Sequence, residues 1–262
     1  MSSLFATFAD PDVSLQEPFD AAVVIPTILR PELAQALESV FAQDFPGRIQ
    51  VLAGIDVPRG DIALIEEVCA SRPANCVVQL FHPGYSTSSR HGGLCAAWDG
   101  GVLRTVLSYL ANSRLVAYLD DDNWWAPGHL RLLADAIRDR DYAYSMRWFV
   151  HHRTGRVVAR DTWESLGPGK GVYAGNFGGF VDPNCLMIDK TRCANVLPLW
   201  TKPLAGDHKG MSADRSVFDA LAKYFRGGAV EKPTVYYRMD PNDGMHPARL
   251  QVMAHGYAEA GG

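Results

Sequence analysis

The sequence predicts an α/β fold, with a mostly parallel sheet, helices on both faces and a smaller antiparallel part in the second half. Three observations predict it. Continuous apolar runs rich in Val, Ile and Leu recur through the first 120 residues, as expected of strands covered on both faces. Segments with helical apolar spacing lie between those runs, the alternation that builds a parallel sheet with right-handed crossovers. Beyond residue 140 the rhythm changes to two strand-like stretches around a Thr154-Gly155 turn.

Residues 1–19 read as a loose leader, with no sustained periodicity and with Pro11 and Pro18 among several acids. The first firm strand is Ala21-Ala22-Val23-Val24-Ile25, stopped by Pro26-Thr27. Pro31 suits the first position of a helix, and Leu33, Leu37, Val40 and Phe41 form one buried stripe after it. Arg48 to Ile55 reads as a second strand, Asp61 to Cys69 as a helix and Cys76 to Phe81 as a third strand. Leu94 to Leu110 reads as a helix, and Leu115 to Leu119 as a fourth strand. Tyr142 to His152 and Arg156 to Asp161 read as antiparallel strands. A glycine-rich stretch follows from Gly167 to Gly179, of the kind that tends to be functional or mobile. Ala213 to Phe225 reads as a helix, Val230 to Arg238 as a strand, and residues 241–262 as a tail. The division expected is a leader (1–19), one domain (20–240) in two halves (20–125 and 126–240), and the tail.

The 262 residues carry a net charge of −4, with 47% hydrophobic and 21% charged residues. That composition is globular. It argues against a nucleic-acid binder, which needs a cationic face. Cysteines 69, 76, 95, 185 and 193 show no C-x-x-C spacing, so zinc knuckles and redox dithiols are not indicated. The N-terminus lacks a secretory signal, and no stretch approaches the roughly 20 apolar residues that span a bilayer. These readings give a cytoplasmic protein without nucleic-acid partners, compatible with peripheral membrane contact.

Ligands in open α/β sheets bind at the carboxyl ends of the strands. The strongest chemical signal stands at such an end, in Tyr118-Leu119-Asp120-Asp121-Asp122-Asn123-Trp124-Trp125. Three adjacent carboxylates repel one another unless a cation or other partner intervenes. Mg²⁺ and Mn²⁺ favour carboxylate oxygens, and Mg²⁺ leaves coordination sites for phosphate. The motif therefore reads as a holder for a metal and a diphosphate. The plainer alternative is an acidic loop capping the helix that starts near Pro127.

The combination of Val24-Ile25-Pro26-Thr27, Glu38-Ser39-Val40-Phe41-Ala42-Gln43 and Leu119-Asp120-Asp121-Asp122 resembles the family 2 glycosyltransferases of the GT-A fold. The resemblance spans roughly residues 20 to 240 and is most specific in the N-terminal half. It implies a Rossmann-like GT-A domain, a nucleotide-diphosphate-sugar donor (UDP foremost), a Mn²⁺ or Mg²⁺ ion, and transfer with inversion. The acceptor would be a carbohydrate, a lipid-linked group or a protein. By this resemblance Pro26 and Thr27 meet the nucleobase and ribose, and Arg30 lies near the same pocket. Asp56 contacts the base, although one of the two acids common there is missing from Gly54-Ile55-Asp56-Val57. Asp120 faces the ribose, Asp122 binds metal, and Asp121 shares either role. Where many members carry an arginine and an asparagine, this chain has Trp98 and Asp99. Arg90 is the substitute candidate, or else a solvated loop residue.

Inverting transfer needs a base to take the acceptor hydroxyl's proton. Asp214, in Met211-Ser212-Ala213-Asp214-Arg215, matches the family's base, with Asp207 the other candidate. A first-turn carboxylate favoured by the helix dipole is the alternative for Asp214. His246 is a candidate further metal ligand or a surface loop residue. Residues 176–180 are candidates for a mobile wall, and some of the tryptophans for an acceptor groove. The competing functions are a catalytically silent sugar- or metal-binding module and a nucleotidyltransferase. The latter normally has a glycine-rich loop after its first strand, which Pro26-Thr27-Ile28-Leu29-Arg30 lacks.

Overall fold

The apolar runs become the centre of a ten-stranded sheet in the computed structural model, which describes residues 4–97, 100–202 and 213–261. In chain order the elements begin with β1 (Leu4–Phe8), β2 (Ala21–Thr27), α1 (Leu33–Phe41), β3 (Ile49–Ile55), α2 (Ala63–Cys69), β4 (Cys76–His82), α3 (Gly101–Leu110) and β5 (Leu115–Tyr118). Next come β6 (Trp124–Trp125), α4 (His129–Ala136), β7 (Tyr142–Val150), β8 (Val157–Arg160), β9 (Gly167–Pro168), α5 (Ala174–Phe177) and β10 (Gly179–Phe180). The chain closes with β11 (Leu186–Asp189), α6 (Ala213–Tyr224), β12 (Gly227–Arg238) and α7 (His246–Gly261).

The sheet order is β1-β4-β3-β2-β5-β11-β7-β12-β6, with β8 added beside β7. Strands β2, β3, β4 and β5 run parallel. β11 is antiparallel to both β5 and β7, so β7 returns to the direction of β5, and β12 follows it in parallel. Apart from a separate two-stranded antiparallel sheet of β9 and β10, the second half thus continues the same sheet, and it contains the expected β7–β8 hairpin, Trp148 opposite Arg160. Because six strands share one direction, their carboxyl ends line one edge. Every residue of β3 is buried, and β2 is buried but for Pro26. That is why both show unbroken apolar runs rather than alternation.

The structure departs from the sequence reading at several places. The leader is not wholly loose: Leu4–Phe8 pairs antiparallel with β4, Phe5 opposite Phe81. The helix expected from Leu94 begins only at Gly101. Gly100, inside that stretch, sits at φ +71°, a left-handed conformation that breaks a helix and that glycine adopts without a Cβ penalty. A Cβ on Gly101 would lie 2.1 Å from the Trp200 carbonyl, so the helix start packs against backbone. β11 was not anticipated. The tail forms α7, kinked at Met253 (φ −136°), with Arg249 buried. The five cysteines are free thiols, four of them buried.

Candidate active site

The acidic triplet leaves the end of β5 and meets the end of β2, to which that strand pairs directly. Asp121 faces inward: its Oδ2 accepts from Thr27 Oγ1 at 2.7 Å and from the Ile28 amide at 3.1 Å. Thr27 Oγ1 in turn accepts from the Leu29 amide at 2.8 Å. These bonds hold a sharp turn in which buried Leu29 takes φ +62°. Such a conformation costs a non-glycine residue on the order of 1–3 kcal/mol and persists where its surroundings enforce it. The turn sends Arg30 back across the triplet. Its Nε lies 3.1 Å from Asp121 Oδ1 and its Nη1 2.6 Å from Asp122 Oδ2.

Asp120 is held from the other side. Arg104 of α3 forms an ion pair with Asp120 Oδ1, and Asn184 Nδ2 donates to Oδ2 at 2.8 Å. The repulsion among the three acids is therefore relieved by two arginines of the chain. It is not relieved completely: burial, and then Asp120, push the Asp122 carboxyl up to about 7 against the pull of Arg30. Burial also raises Asp121, opposed by Arg30.

Arg238, at the end of β12, ties the loop to the second half. Its amide donates to Asn123 Oδ1 at 2.8 Å, its Nε to the Asp122 carbonyl at 3.2 Å and its Nη1 to the His152 carbonyl at 2.8 Å. Beside Arg30 opens a cleft of about 620 Å³ walled by Ile28, Arg30, Arg59, Asp61, Leu64 and Asp240. That volume falls in the range of small-molecule sites, roughly 300–1,000 Å³.

Asp56, next to Thr27 across the β2–β3 pair, spends its carboxylate on the chain. Oδ1 accepts from the Thr87 amide at 2.7 Å and Thr87 Oγ1 at 3.0 Å, and Oδ2 from Ser86 Oγ at 2.9 Å. These contacts pin the loop that carries Arg90, which is exposed in a 3₁₀ turn, Ser89–His91, capped by Ser88. Asp56 and Arg90 thus belong to one loop assembly, an association their sequence separation conceals. Pro26 is half-buried in β2.

Asp214 stands in the first turn of α6, as expected. Burial raises its carboxyl to about 6 against Arg215, and it feels Asp182 and Arg104, the latter already on Asp120. Asp207, Trp98 and Asp99 lie outside the described residues. His246 is buried at the start of α7, its ring edge-on to Tyr257 at 5.3 Å, in a cluster with His151 and His152. Among the described residues no group of three His, Cys, Asp or Glu side chains could hold a metal ion. Asp122, one of whose oxygens faces Arg30, fits Mg²⁺ or Mn²⁺ only in the mode that uses a single carboxylate and completes the shell with phosphate oxygens and water.

Sequence reasoning missed Arg59, Arg104, Asn184 and Arg238. Arg104 sits inside a helix read for its leucines, and Asn184 in a 3₁₀ turn, Pro183–Cys185, before an unforeseen strand. Arg238, as the last residue of a foreseen strand, carried a positional signal.

No protein-family profile and no curated protein sequence matches the chain. Among solved structures it is similar to S. aureus TarS 1–349 in complex with UDP, at TM-score 0.58 and 15% identity over 92% of this chain and 68% of that one. Another TarS 1–349 structure matches at TM-score 0.57 and 16% identity over 84% of this chain, which spans 60% of that one. The mannosyltransferase PcManGT from Pyrobaculum calidifontis, in complex with GDP-Man and Mn²⁺, matches at TM-score 0.52 and 15% identity over 96% of this chain and 66% of that one. At such identities the likeness defines the fold: a mixed α/β, GT-A-like architecture shared with glycosyltransferases. No helix among the described residues is long and apolar enough to cross a membrane.

Proposed function

We propose that this chain is an inverting glycosyltransferase that takes a sugar from a nucleotide-diphosphate donor, UDP-linked first among the candidates, and passes it to an acceptor hydroxyl. Fold alone does not license function. The observation that carries the reading is the meeting of Thr27, Arg30, Asp56 and the 120–122 triplet along one sheet edge, beside an open cleft. In this reading Pro26, Thr27 and Asp56 border the nucleoside, with Arg90 on the loop that Asp56 pins. Arg30 faces the diphosphate, and Asp120 orients the ribose. Asp122 would hold a Mn²⁺ or Mg²⁺ ion, with Asp121 fixing the loop behind it. When bound, the ion neutralises charge that builds on the departing diphosphate. Asp214, with its carboxyl raised to about 6, takes the acceptor's proton as the hydroxyl attacks the anomeric carbon from the face opposite the leaving group. A base poised near the working pH combines a usable deprotonated fraction with useful proton affinity.

One observation favours a second reading, a catalytically silent sugar-binding module: each acid of the triplet already has an arginine partner. Thermal shift with UDP and GDP, each with and without Mn²⁺, followed by assay of UDP-sugar hydrolysis, separates the two. The transferase reading expects a nucleotide shift that needs Mn²⁺, its loss in Asp122→Asn, and measurable hydrolysis. A shift indifferent to Mn²⁺ refutes the role of Asp122. Binding without any hydrolysis or transfer favours the silent module.

A further inference from the structure

The aspartate assigned to the ribose is held by a side chain that makes no contribution of charge. Asn184 is completely buried. Its Oδ1 accepts from the Asp120 amide at 2.6 Å, and its Nδ2 donates to Asp120 Oδ2 at 2.8 Å and to Asp182 Oδ1 at 2.6 Å. The orientation of the amide is fixed by chemistry. Turned over, it would set its oxygen against two carboxylate oxygens and its N–H groups against a backbone N–H. The Asn184 carbonyl also accepts from Trp125 Nε1 at 2.9 Å. One residue therefore grips both ends of the loop 120–125, and it fixes Asp120 by main chain and side chain together.

Asn184 is itself anchored. Its amide donates to Asp182 Oδ1 at 2.9 Å, and Asp182 Oδ2 lies 2.5 Å from Arg147 Nη1. Arg147 also holds Asp161 and Glu164, and Glu164 takes Arg249 from α7. A buried chain of charged contacts thus runs from the last helix to the triplet and ends on Asn184. With Arg104 on Asp120 Oδ1, both oxygens of Asp120 are committed in direction before any ligand arrives. Donors locked by a surrounding shell are what preorganised sites require.

We infer that Asn184 is a positioning residue that sets the Asp120 carboxylate for the donor nucleotide and ties it to the buried arginine network under α7. The nucleotide part rests on the function proposed above, while the clamp on Asp120 does not. The test compares Asn184→Ala and the equal-volume Asn184→Asp with wild type and with Ser145→Ala. Ser145 is just as buried, but among the described residues its hydroxyl bonds to the Met146 carbonyl alone. Two quantities are read: amide hydrogen exchange at Asp120 against Leu119, whose amide bonds to Val24, and UDP affinity in the presence of Mn²⁺.

The inference expects exchange at Asp120 to rise at least tenfold in Asn184→Ala, which removes the acceptor of its amide, while Leu119 stays protected; Asn184→Asp keeps an acceptor oxygen there and is read by affinity. UDP affinity should fall at least tenfold in both, and Ser145→Ala should match wild type within twofold. Because the carboxylate of Asn184→Asp would face Asp120 and Asp182, it should lose at least as much affinity as the alanine. Unchanged exchange at Asp120 in Asn184→Ala, or UDP affinity within twofold of wild type in a folded Asn184 variant, overturns the inference. A wild-type protein that takes neither UDP nor GDP with Mn²⁺, while Asp120 exchange still responds, sinks the donor reading and leaves the clamp standing.

Discussion

Replacing Arg147 with methionine keeps most of its volume and removes its charge. The guanidinium is 1% exposed and faces Asp161 at 2.8 Å, Glu164 at 2.5 Å and Asp182 at 2.5 Å. Without it, Glu164 keeps Arg249, Asp161 keeps three backbone donors, and Asp182 keeps Asn184. Asp161 and Asp182 lose their only cation among the described ion pairs. Removing one partner of a buried ion pair typically costs about 3–5 kcal/mol. For a chain of this size each kcal/mol moves the melting temperature by about 2–4 °C, so Arg147→Met should melt roughly 6–20 °C lower. Denaturant unfolding at pH 7.5 and pH 5 measures the deficit. In wild type, the Asp161 carboxyl is held below its ordinary range despite burial, chiefly by Arg147. Its contribution is therefore full above that range and lost as pH falls through the depressed value. In the variant the unpaired acids prefer to be protonated, so the deficit should narrow at pH 5. A loss below about 1 kcal/mol at pH 7.5 would refute the claim that this guanidinium is the counter-ion of the cluster.

Asp214→Asn should leave UDP binding within about twofold and cut transfer by roughly 100-fold or more, the usual range for a lost general base. In wild type the transfer rate should rise with pH through about 6, because the base works deprotonated. Retention of transfer in Asp214→Asn moves the role to another group. His129 is fully buried, with its Nδ1 2.7 Å from Thr234 Oγ1, and burial lowers its pKa to about 3. The unfolded chain takes a proton near pH 6.5 where the folded one does not. Stability from this residue is thus full above 6.5 and is lost progressively as pH falls towards 3, by about 2 kcal/mol between pH 7 and 5. Denaturation of His129→Gln should show a flatter pH dependence, and an equal slope would show that His129 is charged in the fold.

The strands β2, β3, β4 and β5 were legible because parallel strands buried on both faces leave continuous apolar runs. Asp56 and the 120–122 triplet were legible as acids at strand ends because they stand just after those strands. β1 was not, since five residues near the chain start carry too little pattern. Nor was α7, whose helical register shows no apolar stripe: it docks through Arg249 on Glu164 rather than through a greasy face. Arg147 was the missed clue. An arginine inside Tyr142–Val150, a strand buried along almost its whole length, requires buried acids. Those acids come from segments that only folding brings together.

The triplet itself shows how folding changes a sequence argument. Three adjacent carboxylates imply a cation, and the fold supplies one in Arg30, which spans Asp121 and Asp122, and a second in Arg104 on Asp120. A divalent ion arriving alone would have to displace a well-placed guanidinium from Asp122 and would exchange one cation for another. An ion arriving with a nucleotide diphosphate brings phosphate oxygens that the displaced Arg30 can pair with, at the wall of the adjoining cleft. The same oxygens complete the ion's coordination, which a single carboxylate leaves open. Ion and nucleotide are therefore expected to bind as a coupled pair. Reciprocity then requires that UDP tighten Mn²⁺ by the same factor by which Mn²⁺ tightens UDP.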